Sequence, residues 1–322
     1  MKHSWDSQHF LEGARLAGRS SQFITASNAA ALAIKRINAD LPVILTLSHL
    51  AHLVDVSPHT LTNIIRRYDD PYRVFRIKKR AAGKSAAAPR RYRTICVPAP
   101  DLMMLQRWIA QNILNVVEPH PCSFAFAPGR DLVGAAQKHI GCRWLVKMDV
   151  RHFFESITET QVFRVFRGLG YGALIAFELT RLCTRVRTKD HPRPNDERKI
   201  YELNRPYRRY TQGHLPQGAP TSPMLANLAV MELDKTLLTL AKFLGWTYTR
   251  YADDIAFSTT DVTTRGRAIE IARLAERDLI RFGLVANRQK TSITPPGGRK
   301  ILLGVLVDRE APKLTKAFRN NM

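Results

Sequence analysis

Three aspartates are the residues of this sequence best suited to bind a metal ion. Asp253 and Asp254 are adjacent in YTRYADDIAF, residues 248–257, and Asp149 lies in RWLVKMDVRHFFESIT, residues 143–158. Adjacent carboxylates repel each other, and a carboxylate at the end of an apolar strand is costly to bury without a partner. Carboxylate oxygens suit hard ions such as Mg²⁺. Two such ions about 3.5–4 Å apart would assist an in-line phosphoryl transfer.

The stretches around these aspartates have the pattern of β-strands. Apolar residues alternate with a period of two on both sides of Asp253 and Asp254, which predicts a hairpin with the acids at or beside its turn. Residues 144–150 predict a strand with Asp149 near its end. An ordinary alternative stays open for each site. An exposed acidic turn also accounts for the adjacent pair, and a helix cap or an ion pair accounts for Asp149.

The charge of the chain favours a polyanionic partner. The 322 residues carry a net charge of +23, and apolar residues make up 45% of them, as in an ordinary globular protein of two or three compact subdomains. Nucleic acid is therefore the leading partner class. The sequence has no myristoylation or prenylation signal, no run of 18 apolar residues and no signal-peptide core in its opening MKHSWDSQHF. We expect a cytoplasmic protein without a membrane partner.

The pattern changes along the chain in four stages. Residues 1–70 have helical periodicity, and residues 73–93 contain nine Lys or Arg and no acid, which favours a basic hairpin. Strand and helix patterns alternate over residues 94–183, as in an α+β or α/β core. Residues 185–214 contain three prolines and nine basic residues against four acidic ones, which is typical of a loop or insertion with a contact surface.

Three motifs resemble the polymerase motifs of reverse transcriptases and occur in the same order. They are KMDVRHFF, LPQGAPTSPMLANL and YADD, and the resemblance extends from about Arg91 to Val307. It implies an α+β right-hand polymerase with palm and fingers, a helical N-terminal region, and a reduced or missing thumb, since 15 residues follow Val307. The expected regions are an N-terminal region at 1–70, fingers with the basic hairpin at 71–145, a palm at 146–300 with the insertion at 185–214, and a primer-grip hairpin with a short C-terminal end at 301–322.

The resemblance also implies the roles of individual residues. It places two Mg²⁺ ions, with Mn²⁺ as a substitute, on Asp149, Val150, Asp253 and Asp254. Lys290 is implied to be catalytic beside the three aspartates, approaching the triphosphate or protonating the leaving pyrophosphate. The implied nucleotide-binding residues are Arg93, Phe154, Gln217 and Gly218, and Asn227 matches as well. Phe154 matches the bulky residue that excludes a ribose 2′-hydroxyl, and a purely structural aromatic is the alternative.

RPYRRY in the basic insertion is the candidate RNA-binding sequence. Interleaved guanidinium groups and aromatic rings suit phosphates and unstacked bases, and a solvated loop is the alternative. The residues concerned are Arg205, Tyr207, Arg208, Arg209 and Tyr210. We also expect His139 to contact RNA, because it matches the histidine of an Asn-Ala-x-x-His element that retron enzymes carry, although alanine replaces the asparagine here.

FAFAPGRDLVGAAQKHIG, residues 124–141, is most similar to bacterial reverse transcriptases of the retron and defence-associated group. The sequence departs from that group where Leu302-Leu303-Gly304 replaces Val-Thr-Gly. We expect an RNA-directed DNA polymerase that copies a dedicated structured non-coding RNA, as template and primer, into DNA from dNTPs, with an effector or accessory protein. One alternative is a defence-associated enzyme of another group with protein-primed, repetitive or untemplated synthesis. Another is a non-catalytic RNA-binding scaffold.

Overall fold

The computed structural model describes residues 5–78, 92–186, 212–308, 311 and 313–314, which contain both helices and antiparallel sheets. This is an α+β protein. The described residues divide into two compact units. The first unit comprises residues 5–117, 158–186 and 212–225, and the second comprises residues 118–157 and those from 226 onwards. Among the described helices, none has both the length and the apolarity needed to cross a membrane.

The first unit is mainly helical. Its N-terminal helices begin after polar caps, because the hydroxyl or carboxylate of Asp6, Ser20 and Thr46 accepts backbone N–H groups that have no partner within the helix. Pro58 opens the fourth helix, where its missing N–H costs nothing. The helices are α1 (Ser7–Leu16), α2 (Ser21–Ile37), α3 (Leu47–Val54), α4 (Pro58–Ile65) and α5 (Pro100–Ile109), which a π-helical turn at Ala110–Leu114 extends.

A two-stranded sheet completes the early part of the first unit. Strands β1 (Tyr72–Lys78) and β2 (Tyr92–Pro98) pair in antiparallel register, from Tyr72 opposite Pro98 to Lys78 opposite Tyr92. The tip of the predicted basic hairpin, residues 79–91, lies outside the described residues. Two later helices, numbered α8 (Glu159–Gly168) and α9 (Ala173–Cys183) in chain order, pack against each other.

The ends of the basic insertion are fixed to the first unit by backbone hydrogen bonds. Arg185 and His214 exchange both of their N–H···O bonds at 3.0 Å, and Glu159 N donates to Gly213 O at 3.0 Å. The Arg185 guanidinium also forms an ion pair with Asp70. Residues 187–211 lie outside the described residues, and the predicted RNA-binding sequence RPYRRY falls among them.

The second unit is built on a four-stranded antiparallel sheet of order β4-β5-β3-β6. Its strands are β3 (Trp144–Asp149), β4 (Thr247–Tyr251), β5 (Asp254–Thr259) and β6 (Ser292–Thr294). The predicted hairpin around Asp253 and the predicted strand ending near Asp149 are both confirmed. The remaining helices are α6 (Leu132–Gln137), α7 (Phe153–Ser156), α10 (Ser222–Ala229), α11 (Met231–Leu244) and α12 (Arg265–Arg281).

A small sheet of short strands lies near the end of the described chain. Strands β7 (Ile301–Leu302) and β8 (Val305–Leu306) form a hairpin, and β9 (Lys313–Leu314) pairs with β8. Leu303 and Gly304 both have positive φ values, 52° and 84°, as a two-residue type I′ turn requires. Leu302 and Val305 then reach a core cluster that contains Leu145 of β3 and Ala256 of β5, so the hairpin is anchored to the main sheet.

Candidate active site

Strand pairing brings Asp149 and Asp254 together. The two residues are directly opposite each other in the β3–β5 ladder, and Val150 N donates to Asp253 O at 2.9 Å across the same end of the pair. Opposed residues of an antiparallel pair have Cα atoms about 4.5–5.5 Å apart. The carboxyl group of Asp149 and those of the distant pair Asp253 and Asp254 therefore share one edge of the sheet.

The turn that carries Asp253 is held by a buried arginine. Ala252 has a φ of 55°, a left-handed conformation that is uncommon for a residue with a Cβ atom. Arg250 is fully buried, and its Nη1 donates to Ala252 O at 3.2 Å. This bond satisfies a carbonyl at the turn and stabilises the backbone that presents Asp253.

The Asp149 carboxylate is buried and fully engaged. Asn287 Nδ2 donates to its Oδ1 at 2.9 Å, and Lys290 Nζ donates to its Oδ2. The backbone of the same segment pairs with β3, because Asn287 N donates to Asp149 O at 2.6 Å. Lys290 was predicted from resemblance to approach the triphosphate, whereas its contact in this structure is an ion pair with Asp149. Asn287 was not predicted, although it lies three residues before Lys290 in the same motif.

Like charges at this edge perturb Asp254. Desolvation by neighbouring protein atoms, followed by repulsion from Asp253 and Asp149, raises the pKa of Asp254 to about 6, although water still reaches its side chain. Lys290 and Lys147 oppose this rise. Lys147 projects from β3, donates to Ile301 O at 2.9 Å, and has its own pKa lowered by burial. The site therefore has an excess of negative charge, which a cation would neutralise.

The donor set fits a hard divalent ion. The three carboxylates supply oxygen ligands, and Val150, also predicted as a ligand, can offer only its backbone carbonyl. Within the described ranges, no three acidic, histidine or cysteine side chains already converge as a complete ligand set. The two carboxylate oxygens of Asp149 are bound to Asn287 and Lys290. An ion held by Asp149 would compete with the Lys290 ammonium for this carboxylate.

Phe154 lies in the same unit as the aspartates and is half-buried. It follows the left-handed His152, which ends the strand region and starts the short helix α7. Its ring centroid is 5.7 Å from that of Phe153 and 6.3 Å from that of Phe126. The predicted contact of Phe154 with the sugar of a nucleotide is compatible with this partly exposed position and remains a prediction.

The other predicted nucleotide-binding residues belong to the first unit, where two of them contact β2. Gln217 O accepts a hydrogen bond from Cys96 N at 2.8 Å, and Gly218 has a φ of 110°. A Cβ atom on Gly218 would lie 2.9 Å from Ile95 Cγ2, so only glycine allows this approach. Arg93 is exposed on β2. The predicted roles of these residues in nucleotide binding stay predictions.

Asn227 belongs to a buried network that sequence reasoning missed. Asp234 accepts from Arg250 Nε at 2.8 Å and Nη2 at 2.6 Å, and Tyr248 Oη donates to it at 2.6 Å. Asn227 Oδ1 accepts from Arg250 Nη1 at 3.0 Å and from Ser123 Oγ at 2.9 Å. The network joins α10, α11, β4 and the segment around Ser123. Asn227 therefore acts within the fold rather than at a ligand.

The expectation that His139 contacts RNA is wrong for this fold. Its side chain is almost completely buried, with Nδ1 2.6 Å from Ser258 Oγ and Nε2 2.7 Å from Thr249 Oγ1. Both ring nitrogens thus have partners on β5 and β4. Burial lowers the pKa of His139 to about 4, so the ring is neutral at physiological pH. The side chain connects the segment after α6 to the sheet, and neither ring nitrogen is available to a bound nucleic acid.

The comparisons with known proteins agree with this geometry. Residues 77–305 match the family described as reverse transcriptase (RNA-dependent DNA polymerase). The chain is 31% identical over 273 residues to the Retron Ec86 reverse transcriptase of Escherichia coli, a match that covers 85% of this chain and 74% of that protein. The chain belongs to the reverse transcriptase family and is of the retron type, and the enzymes of this family are RNA-dependent DNA polymerases that use divalent metal ions.

Two relatives from Myxococcus xanthus extend the comparison. The chain is 34% identical over 247 residues to the Retron Mx65 reverse transcriptase and 32% identical over 237 residues to the Retron Mx162 reverse transcriptase. These matches cover 74% and 68% of this chain. The chain spans about half the length of both relatives, since the matches cover 51% and 46% of them.

Proposed function

We propose that this protein copies a dedicated structured non-coding RNA into DNA as the polymerase of a retron. The observation that carries the proposal is the register of β3 and β5, which sets Asp149 opposite Asp254 beside Asp253 in a chain whose relatives are named as retron enzymes. In this proposal residues 146–300 form the palm and residues 71–145 the fingers. The insertion at 185–214 contacts the RNA, an effector or accessory protein completes the system, and the enzyme acts in the cytoplasm.

The carboxylates are proposed to hold two Mg²⁺ ions, with Mn²⁺ as a substitute. When bound, the ions would stabilise negative charge on the attacking and leaving oxygens. The 3′-hydroxyl oxygen of the primer forms a bond to the α-phosphorus of a dNTP and releases its proton to water. The bond from the α-phosphorus to the oxygen that bridges to the β-phosphate breaks, and pyrophosphate leaves with that electron pair. Asp149, Asp253 and Asp254 supply the negative charge that makes this site selective for cations, and Phe154 limits the room at the 2′ position of the sugar.

Lys290 is proposed to act in two positions. In this structure its ammonium binds Asp149, where it offsets negative charge. A divalent ion on the same carboxylate would displace it, and the freed ammonium would then approach the triphosphate or protonate the leaving pyrophosphate. The side chain is about half exposed, which leaves space for this movement. Asn287 would keep the Asp149 carboxylate oriented throughout through its bond to Oδ1.

Sequencing the nucleic acid that copurifies with the protein tests the proposed template. We expect one dominant structured RNA together with DNA complementary to part of it. DNA of repetitive or arbitrary sequence with no complement in the copurified RNA would instead favour a defence-associated enzyme with protein-primed or untemplated synthesis. RNA without any DNA product, from protein expressed with its own locus, would favour the non-catalytic scaffold.

A further inference from the structure

Phe126 is an exposed aromatic residue in a strained backbone conformation. Its φ is 59°, and 48% of its side chain is exposed to solvent. A residue with a Cβ atom pays a steric penalty in this left-handed region, which glycine does not. Such strain persists only where the surroundings impose it, and it is concentrated at functional sites. Neither burial nor backbone preference explains a phenylalanine here.

The backbone on both sides of Phe126 is fixed by hydrogen bonds. On one side, Asn227 Nδ2 donates to Ala125 O at 2.7 Å and Phe124 N donates to Arg250 O at 2.9 Å. On the other side, Arg130 N donates to Ala127 O at 3.1 Å. The three residues 125–127 are thus held at both ends, and the ring of Phe126 is presented on the surface of the second unit.

The same network also holds the turn of the metal site. Arg250 Nη1 donates both to Asn227 Oδ1 at 3.0 Å and to Ala252 O at 3.2 Å. One buried guanidinium group therefore sets the spacing between the segment that bears Phe126 and the turn that bears Asp253. A buried arginine with all of its bonds satisfied is a rigid element, because breaking any of them leaves an unpaired buried polar group.

Phe126 packs against the residue that is predicted to exclude ribonucleotides. The Phe126 and Phe154 ring centroids are 6.3 Å apart with an interplanar angle of 49°, and Phe153 contacts the Phe154 ring at 5.7 Å. Phe154 thus has two aromatic partners. Tilted ring pairs at these distances attract each other, so the two contacts favour one orientation of the Phe154 ring.

We propose that Phe126 is a positioning residue that sets the selectivity of the polymerase for deoxyribonucleotides. Its ring fixes the orientation of Phe154, and Phe154 in turn closes the space at the 2′ position of the incoming sugar. The inference rests on the proposed polymerase function and deepens it. This role explains why Phe126 is exposed, why its backbone is left-handed, and why it lies at a fixed spacing from the turn that bears Asp253.

The variant Phe126→Gly tests this role without unfolding the protein, because glycine removes the ring and also the backbone strain. The measurements are kcat/KM for dGTP and for GTP on one primer-template with Mg²⁺, and the melting temperature. We expect the preference for dGTP over GTP to fall about tenfold, mainly through better use of GTP. We expect no change in melting temperature beyond a few degrees. Phe243→Ala is the matched control, since Phe243 is 85% exposed on α11 in the same unit, and it should change neither quantity.

A double variant separates positioning from direct contact. In the Phe154→Ala background, Phe126→Gly should cause no further loss of selectivity, because the ring that it positions is absent. Independent, additive losses would overturn the positioning role. Unchanged selectivity in Phe126→Gly would also overturn the inference, and so would a large fall in melting temperature, which would make Phe126 a folding residue. If the parent protein shows no Mg²⁺-dependent incorporation of dNTPs, the proposed function itself fails. The activity of the parent protein is therefore measured before the variants are compared.

Discussion

Asp149 and Asp254 occupy directly opposed positions of neighbouring antiparallel strands, although more than a hundred residues separate them in sequence. Their pairing concentrates negative charge at one edge of the sheet together with Asp253. Desolvation and then repulsion from the two other aspartates raise the pKa of Asp254, and Lys290 and Lys147 are the positive groups that reduce this rise. The fold thus keeps at this edge an arrangement that is unfavourable for stability and favourable for binding cations.

The first prediction concerns the loss of folding stability that the ionised Asp254 carboxylate causes. The pKa of Asp254 in the folded protein, about 6, is above its ordinary value of 3.8, so the folded state binds the proton more tightly than the unfolded state does. Ionisation of Asp254 therefore lowers stability as pH rises through this interval, and the loss is complete above about pH 6. Asp254→Asn with EDTA present should melt at a higher temperature than the parent protein at pH 7.5. The difference should vanish below about pH 4.

Addition of Mg²⁺ should reduce the advantage in melting temperature that Asp254→Asn has over the parent protein. A ligand that binds only the folded state raises the melting temperature, and carboxylate charge is what binds the ion. We expect Mg²⁺ to raise the melting temperature of the parent protein more than that of Asp254→Asn, as measured by calorimetry against Mg²⁺-free buffer of matched ionic strength. An equal shift in both proteins would assign the effect to sites elsewhere on the chain.

The second prediction concerns the buried ion pair of Arg250 and Asp234. Both side chains are fully buried, and removing one partner leaves a charge with no counterion. Asp234→Ala should lower the free energy of unfolding by about 3–5 kcal/mol, as measured by urea denaturation. Glu232→Gln on the same helix α11 is the control, because the Glu232–Lys235 pair is exposed and should contribute less than about 1 kcal/mol. Equal losses of unfolding free energy in the two variants would contradict a large contribution of the Arg250–Asp234 pair to stability.

Arg250 also shows how far the sequence predicts the site. The hairpin and the strand that carry the three aspartates follow from local alternation, and both are present. Arg250 shares its strand face with Trp246 and Tyr248, which are buried, and this alternation was the signal that the arginine points inward. Its partners on α10 and α11 could not be predicted, because they depend on packing between elements that are distant in sequence.

His139 and Asn287 illustrate the same limit from opposite directions. His139 was expected to contact RNA because it matches the histidine of a retron element, and the fold buries it between two hydroxyl groups. Nothing in the sequence distinguishes Asn287 from other single polar residues, yet in the fold its amide donates to the Asp149 carboxylate. Residue type and spacing single out the three carboxylates as candidate metal ligands, because their chemistry is distinctive. They do not determine the neighbours of an ordinary polar side chain.

The third prediction concerns Gly218, whose backbone approaches β2. A methyl group there would clash with Ile95 Cγ2 and lie 3.1 Å from Cys96 O, and the φ of 110° adds a conformational penalty. Gly218→Ala should destabilise the protein and raise the KM for dNTPs, because Gln217 precedes it on the same loop. Gly283→Ala is the control, since Gly283 has a φ of 78° but no atom within 4 Å of the added methyl group. It should cost only about 1 kcal/mol and leave KM unchanged. A KM that is unaffected in Gly218→Ala would separate this loop from nucleotide binding.

The fourth prediction concerns RNA binding by the basic insertion. Replacing Arg205, Arg208 and Arg209 by alanine should weaken binding of the cognate RNA and reduce the slope of log K against log salt by about 0.7–0.9 for each lost phosphate contact. Extension of a generic short primer-template should change much less. The control replaces three exposed arginines of α12, Arg265, Arg267 and Arg273, and so removes the same net charge. Equal affinity and slope in the insertion variant and the parent would assign the cluster to a protein partner or to solvent.

The most direct test of the central claim is incorporation of dNTPs by the double variant Asp253→Asn, Asp254→Asn. Asparagine keeps the shape of each side chain and removes the charge that binds divalent ions, and the helices and sheets distant from this edge are unaffected. We predict that Mg²⁺-dependent primer extension is abolished, while circular dichroism and RNA affinity match those of the parent protein. Polymerisation at the parental rate by a folded double variant would contradict the account of this edge of the sheet as the catalytic metal site.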